Sequence, residues 1–162
     1  MEGVNWLDLV LVLLTVLAVI VGFKRGFGRA IFDFAAVIVA VRIAYVAYIP
    51  LSDSIRFSSD AQANLVWSYA LTFIVSGIIL WFIGKLAYDT TLISLDTFDP
   101  ALGAVLGFGI AVVLGHAFTS TMFMATEVEG VSQLVRESML APEFHTFASY
   151  HDIIGSMKRL GD

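Results

Sequence analysis

Three ionisable side chains, Asp8, Arg42 and His116, lie inside otherwise apolar stretches of the chain. A charge at mid-membrane costs about 2.5–3.5 kcal/mol on insertion scales unless it is paired or wetted, so such residues ask for a partner or a task. Folding the first two apolar runs back on each other at Gly26 brings Asp8 and Arg42 to similar depths. The expectation is that these two pair across that hairpin, with His116 near the same level and Thr119 and Ser120 a turn beyond it. A carboxylate, a guanidinium and an imidazole at one depth could relay a proton or an ion. They could equally be a structural ion pair with an arginine snorkelling towards the headgroups. Asp33 is a separate case. It follows Arg29 by four residues and lies on the helix face opposite Arg42, so it is expected to pair with Arg29 and stabilise the start of its helix.

Patterns for catalysis are absent. The chain contains no G-x-x-x-x-G-K phosphate loop, no H-E-x-x-H and no G-x-S-x-G. Gly26-x-Gly28 sits between two apolar runs and not between a strand and a helix. His145 and His151 are six residues apart, a poor spacing for joint metal ligation on a helix, and nothing completes a site. With 0 cysteines there is no disulfide, thiolate ligand or thiol nucleophile. Neither enzymatic activity nor a cofactor nor a metal is expected. Nor is nucleic acid, because only 9 Lys and Arg are scattered along the chain.

The elements that would position these residues follow from composition. The chain has 162 residues, 59% hydrophobic and 14% charged. Soluble domains run at roughly 45–50% apolar and about 25% charged. A small domain buries too small a fraction of its surface to hide that excess. The surplus must face lipid, which makes the bilayer the first partner. Apolar runs fall at about 6–23, 30–49, 65–84 and 101–124. Each approaches the ~20 residues that cross ~30 Å of hydrocarbon as a helix. The expected fold is all-α, a four-helix membrane domain over 1–126 followed by an amphipathic helical tail over 127–162. Glu2 stands where a signal peptide would carry basic residues, so the first run is read as a permanent span. Pro50 is expected to end the second run, Asp60 to cap the third, and Asp99-Pro100 to cap and open the fourth.

Lys24, Arg25 and Arg29 lie between the first two runs and Lys85 follows the third, whereas Arg56 is offset by Asp53 and Asp60. Basic connections stay in the cytoplasm, which predicts both termini outside. Trp6, Tyr45, Tyr48, Trp67 and Tyr69 would form one interfacial belt, with Trp81 and Tyr88 at the other face. The segment 86–98 is apolar enough to rest at the interface or re-enter it. In the tail, Val128, Val131, Leu134 and Val135 share a helical face opposite Glu127, Glu129, Arg136 and Glu137. Phe144, Phe147, Ile154 and Met157 suggest a second stripe. Such helices lie on the membrane surface or act as a lid or docking surface.

Gly103, Gly107, Ala111 and Gly115 recur every four residues, and Ala36, Ala40 and Ala44 repeat the device. Small residues let helix backbones approach in lipid. Packing within one bundle is the expected use; a pore lining or a seam between copies is the alternative.

Four short motifs resemble those of the colicin V production (CvpA) family over nearly the whole chain. They are Asn5-Trp6-Leu7-Asp8, the turn Gly22-Phe23-Lys24-Arg25-Gly26-Phe27-Gly28-Arg29, Asp99-Pro100-Ala101-Leu102-Gly103 with Gly107, and Ser138-Met139-Leu140-Ala141-Pro142. The turn is similar to a G-x-x-R-G-F-x-R-E signature, with Ala30 in place of the glutamate. Pro100, Ile110 and Ala111 also depart from the family pattern, removing two arginines from the start of the fourth run. The resemblance implies a multi-pass protein of the bacterial inner membrane, linked to colicin V production or export and to envelope homeostasis. Its partners would be other membrane or envelope proteins, and a homo-oligomer is compatible with it.

Overall fold

The computed structural model describes residues 5–91, 98–125 and 131–146. Helix is the only regular structure among them. The elements are α1 (Trp6–Ser54), α2 (Ala61–Thr91), α3 (Asp99–Met124), α4 (Val131–Glu137) and α5 (Ala141–Thr146). Three of these helices, α1, α2 and α3, are long and apolar enough to cross a membrane.

The 49-residue α1 is not straight. Gly26 has φ 72° and ψ 173°, a conformation open essentially only to glycine, and it divides α1 into two limbs. The first limb starts at Asn5, whose side chain accepts from the Leu7 amide while Asp8 reaches back to the Asn5 amide, completing a capping box. Pro50 does not end the second limb as expected, because α1 runs on to Ser54. A proline removes the bond its own N–H would make and crowds the carbonyl four residues back, but the residues after it keep their own amides for helix bonds. Beyond it, Ser52 and Ser54 hydroxyls donate to the Ile49 and Pro50 carbonyls at 2.8 Å.

α2 begins under the expected cap, Asp60 Oδ1 accepting the Ala63 amide at 2.7 Å. Its small residues lie along the second limb: the Ser76 hydroxyl is 3.5 Å from the Ala40 carbonyl, and Gly84 faces Phe32. Ala36, Ala40 and Ala44 are buried, so this strip serves packing within the chain. The rest of α2 is largely exposed, from Ile74 through Ile78 and Phe82 to Leu86. Leu86 to Thr91 continue α2; the remainder of the anticipated interfacial segment, 92–97, lies outside the described residues.

α3 packs against both limbs of α1. A Cβ on Gly107 would meet Ala18 and Val19 backbone at 3.0 Å, and one on Gly109 would meet the Phe34 ring at 3.0 Å. The helix starts at Asp99 itself, with Phe98 as its N-cap and no capping bond from the Phe98 side chain. Asp99 therefore stands inside the helix and not at the predicted N-cap position, although Pro100 does occupy the first turn.

The described part of the tail packs on the long helices. α4 and α5 place Val135 and Ala141 in a core with Leu7 and Leu11, flanked by Phe118, Met122, Leu140 and Phe144. Their apolar face meets the bundle's own apolar end. Glu127, Val128, Glu129, Phe147, His151, Ile154 and Met157, which carry the rest of the expected stripes and the histidine spacing, lie outside the described residues.

Candidate functional site

The two ends of the first limb are held in different ways. At Asn5, one buried carboxylate gathers the tail. Asp8 Oδ1 accepts the Ser138 hydroxyl at 2.6 Å and the Leu140 amide at 3.0 Å. Its Oδ2 accepts the Met139 amide at 3.3 Å and the Asn5 amide at 3.2 Å. Asn5 Nδ2 donates to the Leu134 carbonyl at 2.6 Å, and Ser138 Oγ accepts the Ala141 amide at 2.9 Å. The expected Asp8–Arg42 ion pair is therefore not formed. Asp8 is 4% exposed, and its oxygens face donors from the tail, which satisfy it without a cation.

At Gly26, α1 and α3 meet without side chains between them. A Cβ on Gly22 would lie 2.8 Å from Gly107 Cα, and one on Gly103 would lie 2.9 Å from Gly26 Cα. Asp99 fills the space that a Gly26 side chain would take, and its Oδ1 accepts the Gly28 amide at 3.4 Å. Beside this contact Asp33 binds two arginines, Arg25 Nη1 at 2.5 Å and Arg29 Nη2 at 3.0 Å. The Arg25 bond spans the bend, and the Arg29 pair is the i,i+4 contact anticipated. The Arg29 guanidinium also lies over Trp81 at 5.6 Å and Tyr88 at 6.0 Å. The four sequence motifs thus meet two by two: Asn5–Asp8 with Ser138–Pro142, and Gly22–Arg29 with Asp99–Gly107.

The third arrangement is a cavity of about 610 Å³ between the second limb, α2, α3 and α5. Arg42, Tyr69, His116, Ser120 and His145 contribute its polar groups, so Arg42 and His116 do come together while Asp8 does not line it. His116 Nδ1 stands 3.1 Å from the Phe144 and His145 carbonyls. Carbonyls only accept, so this nitrogen carries the proton. The His145 ring stacks on Phe123 at 4.1 Å and on His116 at 5.9 Å, with its Nδ1 3.3 Å from Ser120 Oγ. Burial pushes the His145 imidazole below its usual pKa, and the neighbouring His116 acts in the same direction. Arg42 lies 6.0 Å from the Tyr45 ring centroid and makes no ion pair among the described residues. Thr119 bonds back to the Gly115 carbonyl at 2.8 Å and is spent within its own helix. A Cβ on Gly115 would meet Phe144 Cγ at 3.0 Å, so the α3 strip seats the tail at this end.

Sequence reasoning did not anticipate Tyr69 or His145 in this cavity. His145 stands on a helix too short to show periodicity, and its partners are more than 20 residues away. Ser138 carried a usable signal, a hydroxyl residue three positions before Ala141-Pro142, as helix starts often have. No group of three or more His, Asp or Glu that could hold a metal occurs among the described residues.

Curated proteins and solved structures returned no match to the chain. A family model described as "Colicin V production protein" matches residues 7–149. That match takes in all of α1 but its first residue and every later described helix, and with the long apolar helices it makes this a membrane protein related to colicin V production. The chain belongs to the colicin V production protein family.

Proposed function

We propose that this is a four-span protein of the bacterial inner membrane, with both ends on the extracytoplasmic side. It supports colicin V production or export, or envelope maintenance, by binding other membrane or envelope proteins and not by catalysis. A 49-residue helix would extend about 70 Å at 1.5 Å per residue, more than twice the ~30 Å of hydrocarbon. In this reading the two limbs on either side of the Gly26 bend are separate spans, and Lys24, Arg25 and Arg29 lie at a cytoplasmic turn.

The observation that carries the partner-binding reading is the apolar seam inside the bundle, set against the exposed polar face of the tail. Between the Arg25–Asp33 pair and the Arg42 cavity, the helices meet through Ala36, Ala40, Gly107 and Ala111, all buried. Along this seam each protomer holds a cavity of about 300 Å³ with Arg25 and Asp33 at one end and apolar walls that include Ala36, Val37, Ile110 and Leu114. Its tail, in contrast, presents a roof on which Gln133, Arg136, Glu137 and Met139 are exposed. The second reading, a small oligomeric channel, rests on the polar groups gathered around Arg42 and His116.

Two measurements separate these readings. Proteoliposomes holding the folded protein should pass ions and small solutes no faster than empty liposomes. A photo-crosslinker at Gln133 should give discrete adducts in cells that disappear when Arg136→Glu reverses the neighbouring charge. Flux above empty liposomes that changes in Arg42→Leu or His116→Ala would replace the partner-binding reading with the channel.

A further inference from the structure

The cavity beside Arg42 has the makings of a ligand site that the partner-binding reading does not use. Its volume of about 610 Å³ lies within the range of small-molecule sites, on the order of 300–1,000 Å³. It opens on the α1 surface where Ile38, Arg42 and Tyr45 are exposed, so its mouth faces lipid. Arg42 stands 7 residues before Ile49, where the apolar run ends, about 10 Å along the axis at about 1.5 Å per residue. A guanidinium at that depth needs an anion, and no described carboxylate supplies one. Asp8, the obvious candidate, is already saturated by tail donors.

The remaining walls fit the same ligand. Ile38, Val41 and Met124 form an apolar slot, while Tyr69, Ser120 and His145 bring a phenol, a hydroxyl and an imidazole around the arginine. A planar guanidinium suits the paired oxygens of a phosphate. We propose that this cavity binds a phosphate-headed amphiphile entering laterally from the leaflet at the Asn5 end, with its phosphate on Arg42 and its chain in the slot. α5 roofs the head through His145, which ties occupancy of the cavity to the seating of the tail.

The test uses the full chain in dodecyl maltoside, whose sugar heads carry no phosphate. Dodecyl phosphate, inorganic phosphate and dodecyltrimethylammonium are titrated, with adducts counted by native mass spectrometry and the histidine rings followed by NMR. Dodecyl phosphate should bind once per chain and shift the His145 signals. Arg42→Gln should weaken it by roughly tenfold or more, the loss of one charge-assisted contact. Arg42→Lys should weaken it less, and Arg56→Gln, on the exposed connection, should leave it unchanged. Val41→Trp, which fills the slot and keeps Arg42, should weaken dodecyl phosphate in the same way. Equal binding by wild type and Arg42→Gln overturns the site. Inorganic phosphate binding as tightly as dodecyl phosphate makes it a soluble-anion site, and dodecyltrimethylammonium binding as tightly makes it an apolar slot; either overturns the assignment.

Discussion

At its Asn5 end the first limb of α1 is held by directional bonds, and at its Gly26 end by the absence of side chains. Asp8 collects four donors from two stretches of chain, three of the donors more than 100 residues away. Gly22, Gly26, Gly103 and Gly107 collect nothing; they let two backbones touch. A bond network can lose a member and keep the rest. A backbone contact has no slack, because neither side can rotate away from an added atom. The tail end is thus built to be adjustable, and the turn end to be fixed.

The sharpest challenge to this contrast is Gly103→Leu, whose Cβ would lie 2.9 Å from Gly26 Cα. Overpacking against backbone should remove about 3 kcal/mol or more, read as denaturation in mild detergent or as failure to fold. Gly109→Ala serves as the comparison, because its added Cβ meets only the Phe34 ring edge and should cost far less. Equal losses from the two would show that backbone contact is not the source. Next comes Asp8→Ala, which strands the Ser138 hydroxyl and three amides. It should weaken tail docking by about 2–3 kcal/mol, seen as faster proteolysis after residue 125 with the long helices intact. Ser138→Ala removes a single hydroxyl and should cost about 1 kcal/mol by the same assay.

The smallest effect expected is one of pH. His145 titrates below its usual value of about 6.5 in the docked tail, because burial and His116 both disfavour its charge. The undocked tail then binds the proton more readily. Docking is at full strength above about pH 6.5 and weakens as pH falls through the lowered value, after which it levels off. The groups facing His145 are His116 and Ser120 from α3 and, across the cavity, Arg42 and Tyr69. Proteolysis of the tail should be faster at pH 5 than at pH 7.5, and His145→Phe should flatten the difference.

Much of the membrane architecture was readable from the chain. The apolar runs at 6–23, 65–84 and 101–124 fall within α1, α2 and α3, because lipid leaves a long apolar segment no alternative to helix. The four-residue spacing of Gly103, Gly107, Ala111 and Gly115 gave the packing face of α3, and all four are buried. Arg29–Asp33 was readable for the same reason, since an i,i+4 pair is fixed by helix geometry alone. Depth matching failed for Asp8. Counting residues from Gly26 gives a level in the membrane but not a direction around the helix, and Asp8 faces the tail while Arg42 faces α3 and α5.

The sequence by itself determined that this chain enters a membrane as helices, where it turns, and which helix faces are smooth enough to touch. Those properties are local, set by hydropathy, by helix periodicity and by the absence of a Cβ. Only the tertiary structure decided that Asp8 belongs to Ser138, that Asp99 reaches Gly28, and that His145 closes the cavity over Arg42. These partners stand 130, 71 and 103 positions apart in the chain (the last by 145 − 42), and no local spacing rule relates residues brought together only by packing.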